Sequence, residues 1–456
     1  MILADYAFAI ASFLLVIGGL AVRSAFSRKV QFWFNESMLL LLLASILLLS
    51  FYPEHVVSGI FVISPYSLFF MALFTAGMLV INIIAFAYSE EYADFAILSD
   101  FALLGMYLIS SSGSIISIFL GLELSTIPAV FVILLSRKGM EAGVKLLIMV
   151  SLAAAIFSIG MALFYDASGS LSLNPVSQGE LLGSALLLFL VSLGIESSIF
   201  PFNLLIPDVY QGSQPYLVSM LGGLNKKAAF AAIIQIVILS FLAFHSAFGL
   251  IAILAAATMF YGNIVAMLQD NIKRMLAYSS ISQAGYILIG IAASTSQGIA
   301  ASLFQIFSHA FAFIGIMGIV AWLETKNKHN LSDLDGLSSE NLFAAVSITV
   351  FLLSLIGIPF TTGFIGKFML FVSAINSGFL WLAILGIINS VISIYYYSKI
   401  IIPAFAYQGK ARRLSMGKAS VVAIAICLAV VVAFGIFPQP IIGAANAAAH
   451  VLFLSH

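Results

Sequence analysis

Apolar runs of about twenty residues, each closed by a short polar connection, recur along the whole of this 456-residue chain. A helix of that length just crosses the roughly 30 Å hydrocarbon core of a bilayer. Lipid offers no partner to a bare N–H or C=O, so each crossing must satisfy its own backbone. Fourteen runs fit this measure, centred near Val16, Leu43, Met78, Leu104, Val130, Ala154, Phe189, Ile233, Ala256, Ile287, Phe313, Leu353, Ile388 and Val430. With 62% hydrophobic and 8% charged residues, the chain reads as an all-α polytopic membrane protein.

The connections limit the chemistry. The longest polar stretches, Glu324 to Glu340 and Gln408 to Lys418, are too short for a soluble catalytic domain, so any redox or nucleotide chemistry belongs to another subunit. Cys427 is the single cysteine, which excludes an intrachain disulfide and a cysteine-ligated cluster. Met1 to Val22 lacks a basic leader and a small-residue cleavage site and reads as the first span. Arg23, Arg28, Lys29, Arg137, Lys138, Lys273, Arg274, Lys326, Lys328, Lys399, Lys410, Arg412, Arg413 and Lys418 all fall between an odd-numbered span and the next even one. By the positive-inside rule both termini then face outward, and one miscounted span would destroy the pattern.

Four lysines remain within or near the membrane: Lys145, Lys226, Lys227 and Lys367. An ionisable group at bilayer depth costs about 2.5–3.5 kcal/mol, so it usually has a function or a partner. Gly194 to Phe230 holds Glu196, Lys226 and Lys227 together with Pro201 and Pro207, expected to interrupt span seven. Adjacent lysines point about 100° apart on a helix, so Lys226 is expected to line a path and Lys227 to pair elsewhere. Span twelve, SLIGIPFTTGFIGKF, is expected to break around Gly357, Pro359 and Gly363, with Lys367 beyond the break. The two breaks lie five spans apart and hence run in opposite directions. That is the mark of inverted repeats with interrupted helices at a transport site. The expected segments are 1–93 (spans one to three), 94–244 (first repeat, spans four to eight), 245–407 (second repeat, spans nine to thirteen) and 408–456 (inner loop, span fourteen and outer tail).

Glu123, in FLGLELSTIP, lies near mid-membrane, with Pro128 five residues on as a source of a kink. Lys145 follows Glu141 by one turn and is read either as a snorkelling or as a relay lysine. Ser279, Ser282 and Gln283 read as packing polar groups. His309 is either a satisfied core histidine or a bridge in a proton chain. Spans one to three look like ordinary lipid-facing helices, and Asp100 is either an interfacial carboxylate or a functional one.

The strings LELSTIP, EAGVK, PDVYQGS, NKKAAF, QDNIKRMLAYSSIS and GIPFTTGFIGKF resemble the antiporter-like membrane subunits of respiratory complex I, subunit N in particular. Related chains occur in Mrp-type antiporters, membrane-bound hydrogenases and F(420)H(2) dehydrogenases. The resemblance implies a proton path through Glu123, Lys145, Lys226 and Lys367, with Glu196 standing where the family has a lysine and Asn203 where it has a histidine. On this reading Lys145 pairs with Glu123 and Lys226 with Glu196. It further implies no cofactor in this chain; iron–sulfur clusters, flavin or other redox centres, and quinone, belong to partner subunits. The partners it implies are other membrane subunits of a complex I-like assembly, the lipid bilayer, and protons or sodium, with no nucleic acid. The location implied is the cytoplasmic membrane. The alternatives are an Mrp-type antiporter or hydrogenase subunit, or a non-conducting structural subunit.

Overall fold

The computed structural model describes residues 12, 14–23, 26–51, 55–58, 61–135, 139–174, 179–406 and 413–454. Arg137, Lys138, Lys410 and Arg412 of the charge pattern, and most of the first span, lie outside the described residues. Twelve described helices are long and apolar enough to cross a membrane. With Leu14–Arg23 (α1) and the pair Leu342–Ile356 and Thr362–Asn376 each counted as one crossing, this makes the fourteen expected.

The order is α1, α2 (Arg28–Leu49), α3 (Pro65–Tyr88), α4 (Tyr92–Ser110), α5 (Ile115–Leu135), α6 (Met140–Ser168), α7 (Glu180–Ser197), α8 (Ile206–Gly212), α9 (Pro215–Ser240), α10 (His245–Ala266), α11 (Ile272–Ala292) and α12 (Ser296–Glu324). There follow α13 (Leu337–Glu340), α14 (Leu342–Ile356), α15 (Thr362–Asn376), α16 (Leu380–Phe405), α17 (Lys418–Ile436) and α18 (Gln439–Phe453). Two features were not foreseen. An antiparallel hairpin, His55–Ser58 with Phe61–Ile63, joins α2 to α3, and the expected outer tail contains the helix α18.

Local chemistry starts many of these helices. The Ser64 side chain accepts from the Ser67 amide in a capping box, with Pro65 opening α3 where its missing N–H is not needed. Asn271 and Asn341 cap α11 and α14 by accepting from the amides of Arg274 and Ala344. Pro128 sits inside a continuous α5.

Packing divides the chain into two units, 1–197 with 224–244 and 446–456, and 198–223 with 245–445. In the first unit a Cβ on Gly121 would come within 2.9 Å of the Gly105 carbonyl oxygen, which is how close α4 and α5 lie. In the second, α11 and α12 form the core, their apolar windows wholly buried. Gly262 lies against the backbone of Ser282, and a Cβ on Gly285 would sit 2.8 Å from the Ala255 carbonyl oxygen. Small residues allow backbone approach where lipid supplies no hydrophobic drive to bring helices together.

Some connections of like charge content lie beside one another. Isolated bridges join Phe61 to Ser112 and Ser114 to Ser172, linking connections that carry no Lys or Arg, whereas Asn271–Asn330 links two basic ones. In the basic connection after α12, the Asp333 carboxylate accepts from the amides of His329 (2.9 Å) and Asn330 (2.8 Å). Those amide bonds hold its pKa below the ordinary carboxylate range. A depressed folded-state pKa gives stability that is fully present above about pH 4 and lost as pH falls through the folded value. The protection of the His329 and Asn330 amides, taken relative to their intrinsic exchange rate at each pH, is therefore expected to fall on acidification, and in Asp333→Asn to be lower already at neutral pH.

At Gly363 a Cβ would overlap the Ser354 carbonyl oxygen. Gly363→Ala is expected to destabilise the chain by about 1–3 kcal/mol through overpacking, lowering the thermal midpoint of the detergent-solubilised protein, whereas Gly378→Asn, in open space at φ 83°, should not.

Candidate functional site

Both interruptions fall where the prolines placed them. α14 ends at Gly357 (φ 97°), and Pro359 and Phe360 (φ 67°) separate it from α15. α7 ends at Ser197, followed by Ser198 (φ 61°) and Pro201. Each break thus holds one non-glycine residue in the left-handed region, a conformation costing about 1–3 kcal/mol and typical of functional sites. Pro207 is a correction: it stands in the first turn of α8, where a missing N–H interrupts nothing, so it opens a helix instead of breaking one.

The second break leaves the last carbonyls of α14 without amide partners. Lys367, one turn into α15 and only 3% exposed, fills that gap. Its Nζ donates to the Leu355 and Ile356 carbonyls, both at 2.9 Å, and to Ser390 Oγ at 3.0 Å. The ammonium also sits 4.1 Å from the centre of the Tyr286 ring. Its three donors are therefore used, on neutral acceptors at the negative end of a helix dipole.

Further amides extend this group. Gln283 Nε2 donates to the same Leu355 carbonyl at 3.0 Å, and Gln305 Nε2 donates to Gln283 Oε1 at 3.0 Å. Tyr286 shares Ser390 at 3.0 Å, Ser279 bonds Tyr397, and Tyr396 donates to Asn263 at 2.9 Å. His309 is buried on α12 and stacks on Phe313 with centroids 5.4 Å apart, while its neighbour Ser308 donates to Thr362 at 2.9 Å. Asn203 is buried with neither amide atom hydrogen-bonded among the described residues. At the basic end of α11, Lys273 pairs with Glu324 at 2.7 Å and donates to the Ser213 carbonyl at 2.7 Å; Arg274 pairs with Asp208, fixing α8 after its break.

The first unit holds the other expected residues. Lys226 and Lys227 are both buried on α9, directly after a π turn at Leu221–Asn225. π turns are rare and collect at functional sites. Lys227, expected to be paired, has no hydrogen bond or ion pair among the described residues and is 2% exposed. Neither Glu123 nor Glu196 is ion-paired among the described residues, which corrects the pairings expected with Lys145 and Lys226. Lys145 instead pairs with Glu141 at 2.7 Å and is 29% exposed, the geometry of a snorkelling lysine. Asn225 Nδ2, one residue before the lysines, donates to the Ser125 carbonyl at 2.8 Å beside Glu123 on α5. A cavity of about 430 Å³ nearer the hairpin is lined by Ser64, Tyr66, Ser110 and Gln235.

Spans two to four also depart from expectation. Asn35, Glu36, Asn82 and Asp100 are buried and joined to one another, so α2 and α3 are not ordinary lipid-facing helices and Asp100 is not interfacial. Their wide spacing along the chain hid this set; the signal was Asn-Glu and Asn inside otherwise apolar runs.

Interrupted helices with buried lysines and carboxyls define a class of ion-translocating membrane subunit, and comparison agrees. Residues 112–393 match the family described as NADH:quinone oxidoreductase/Mrp antiporter, transmembrane, and the chain belongs to it. It is 34% identical to NADH-quinone oxidoreductase subunit N of Desulforamulus reducens, covering 91% of each chain. It is also 32% identical to F(420)H(2) dehydrogenase subunit N of Methanosarcina mazei, over 86% of this chain and 84% of that one. Among solved structures, a chain of respiratory complex I from Thermus thermophilus is similar at TM-score 0.84 and 28% identity, covering 97% and 99%. A chain of the Mrp complex from Dietzia sp. matches at TM-score 0.86 and 20% identity, a likeness of fold.

Ser390→Ala removes one of three acceptors from a buried ammonium. It should lower stability by about 1.5–3 kcal/mol, the range for hydrogen bonds to charged groups, read as a lower denaturation midpoint. Ser390→Thr, which keeps the hydroxyl, should lie closer to the native chain.

Proposed function

We propose that this chain is a proton-translocating membrane subunit of a complex I-like quinone oxidoreductase, with electron transfer and all redox cofactors in partner subunits. The observation that carries the reading is Lys367 seated on the cut carbonyls of α14. Its acceptors are backbone groups at a break, so a small opening or closing of that break changes how well the charged amine is held. Closure favours the ammonium, and opening favours loss of a proton from Nζ to an acceptor nearby. The neutral side chains of Gln283, Gln305 and Ser390 orient Lys367 without quenching its charge, which an adjacent carboxylate would do.

In the first unit Glu123, Glu196, Lys226 and Lys227 are the proton carriers in this reading, and Glu196 serves as a carboxyl station where the family has a lysine. A scaffold has no reason to carry four such groups in its spans, Lys226 and Lys227 among them buried. His309 orients neighbouring groups or passes a proton between them. The names of the subunit N relatives favour a quinone oxidoreductase over an antiporter. In this reading the chain lies in the cytoplasmic membrane, and the basic connections support both termini facing outward.

The test is proton movement by the purified complex in liposomes, with electron transfer recorded separately. Lys367→Ala is expected to cut protons moved per electron pair several-fold, and Lys367→Arg, which stays charged, not to restore them. Unchanged pumping with normal electron transfer would make the chain a non-conducting structural subunit.

A further inference from the structure

The polar set in α2, α3 and α4 is connected as a unit. Asn35 Nδ2 donates to Asp100 Oδ2 at 2.7 Å, and Asn82 Nδ2 donates to Asn35 Oδ1 at 3.0 Å and to Glu36 Oε1 at 2.9 Å. The Tyr92 hydroxyl donates to Asn82 Oδ1 at 2.7 Å. Asp100 is 1% exposed, yet its Oδ1 has no hydrogen-bond partner among the described residues. Asp100 and Asn35 line a narrow cleft of about 10 Å³, room for about one water, bordered by Gly19, Arg23, Gln31 and Ala96.

The charged groups around this cluster are already engaged. Arg28 donates to the carbonyls of Phe86 and Ser89, Arg23 pairs with Asp94, and the Tyr107 hydroxyl bonds Thr75. No cation is bonded to Glu36 or Asp100 among the described residues. Two buried carboxylates with one amide donor each and no counter-charge are not sustainable together. Something positive must therefore bind. A metal cation needs several oxygens turned towards it, but both asparagine oxygens already accept hydrogen bonds from within the cluster. The amide N–H groups, not the oxygens, face the carboxylates. A proton satisfies that arrangement and a sodium ion does not.

We propose that Glu36, Asn35, Asn82 and Asp100 form a further proton-binding site, taking up and releasing one proton at Asp100 through the cleft beside Arg23. The proton passes between solvent reaching the cleft and Asp100 Oδ1, and no electrons move. Asn35, Asn82 and Tyr92 are positioning residues. The site stands apart from the role given to Lys367.

Infrared difference spectra of the whole complex, titrated across about pH 5 to 9, test this without altering the chain. Asp100 is the one fully buried aspartate among the described residues. Carbon-13 labelling of aspartate carboxyls should shift a protonated-carboxyl band that titrates, and the difference from Asp100→Asn assigns that band to this chain. Asp100→Asn should abolish that band, and Lys367→Ala should leave it in place. Absence of any aspartate-shifted band overturns the proposal. So does loss of the band on adding sodium at fixed pH, which would make the cluster a cation site.

Discussion

Lipid supplies no hydrogen bonds, and that constraint explains the most unusual contact in the molecule. A helix cut in mid-membrane exposes carbonyls that must find donors within the protein. Here the donor is an ammonium, Lys367, itself expensive to bury alone. Each group resolves the other's difficulty, and removing either leaves the other exposed. Gln283, Ser390 and Tyr286 are arranged around that exchange.

The wholly buried α11 and α12 position these groups. Glycine against backbone at Gly290 and Gly298 brings α11 and α12 close enough for short polar side chains to meet. Gln283 and Gln305 can therefore bond directly across neighbouring helices. A core of bulkier residues would separate them. Close packing and polar connectivity thus depend on the same small residues.

Much of the fold was legible in the sequence because its main rules are local. Run length gave the spans, basic residues gave their parity, and Pro201 and Pro359 marked both interruptions. What could not be read depends on which faces meet. Asn35 and Asp100 are 65 positions apart, and nothing in either run showed that they touch. The apolar context of Glu36 looked like lipid exposure because hydropathy does not distinguish a helix facing acyl chains from one facing other helices. Pro207 read as a breaker because proline composition is visible while its position in a helical turn is not. The partner expected for Lys227 was likewise unreadable, since a lysine between apolar residues does not show which neighbours its face meets.

The π turn in α9 has an evolutionary reading. A π turn holds one residue more than the α turn it replaces, so Leu221–Asn225 behaves as a spare residue stored just ahead of two lysines. Loss of one residue there would return the turn to α geometry and leave the helix that follows in its present direction, so Lys226 and Lys227 would keep the places they hold. A deletion, which elsewhere in a membrane helix turns every later side chain by about 100°, becomes survivable at this point in the chain.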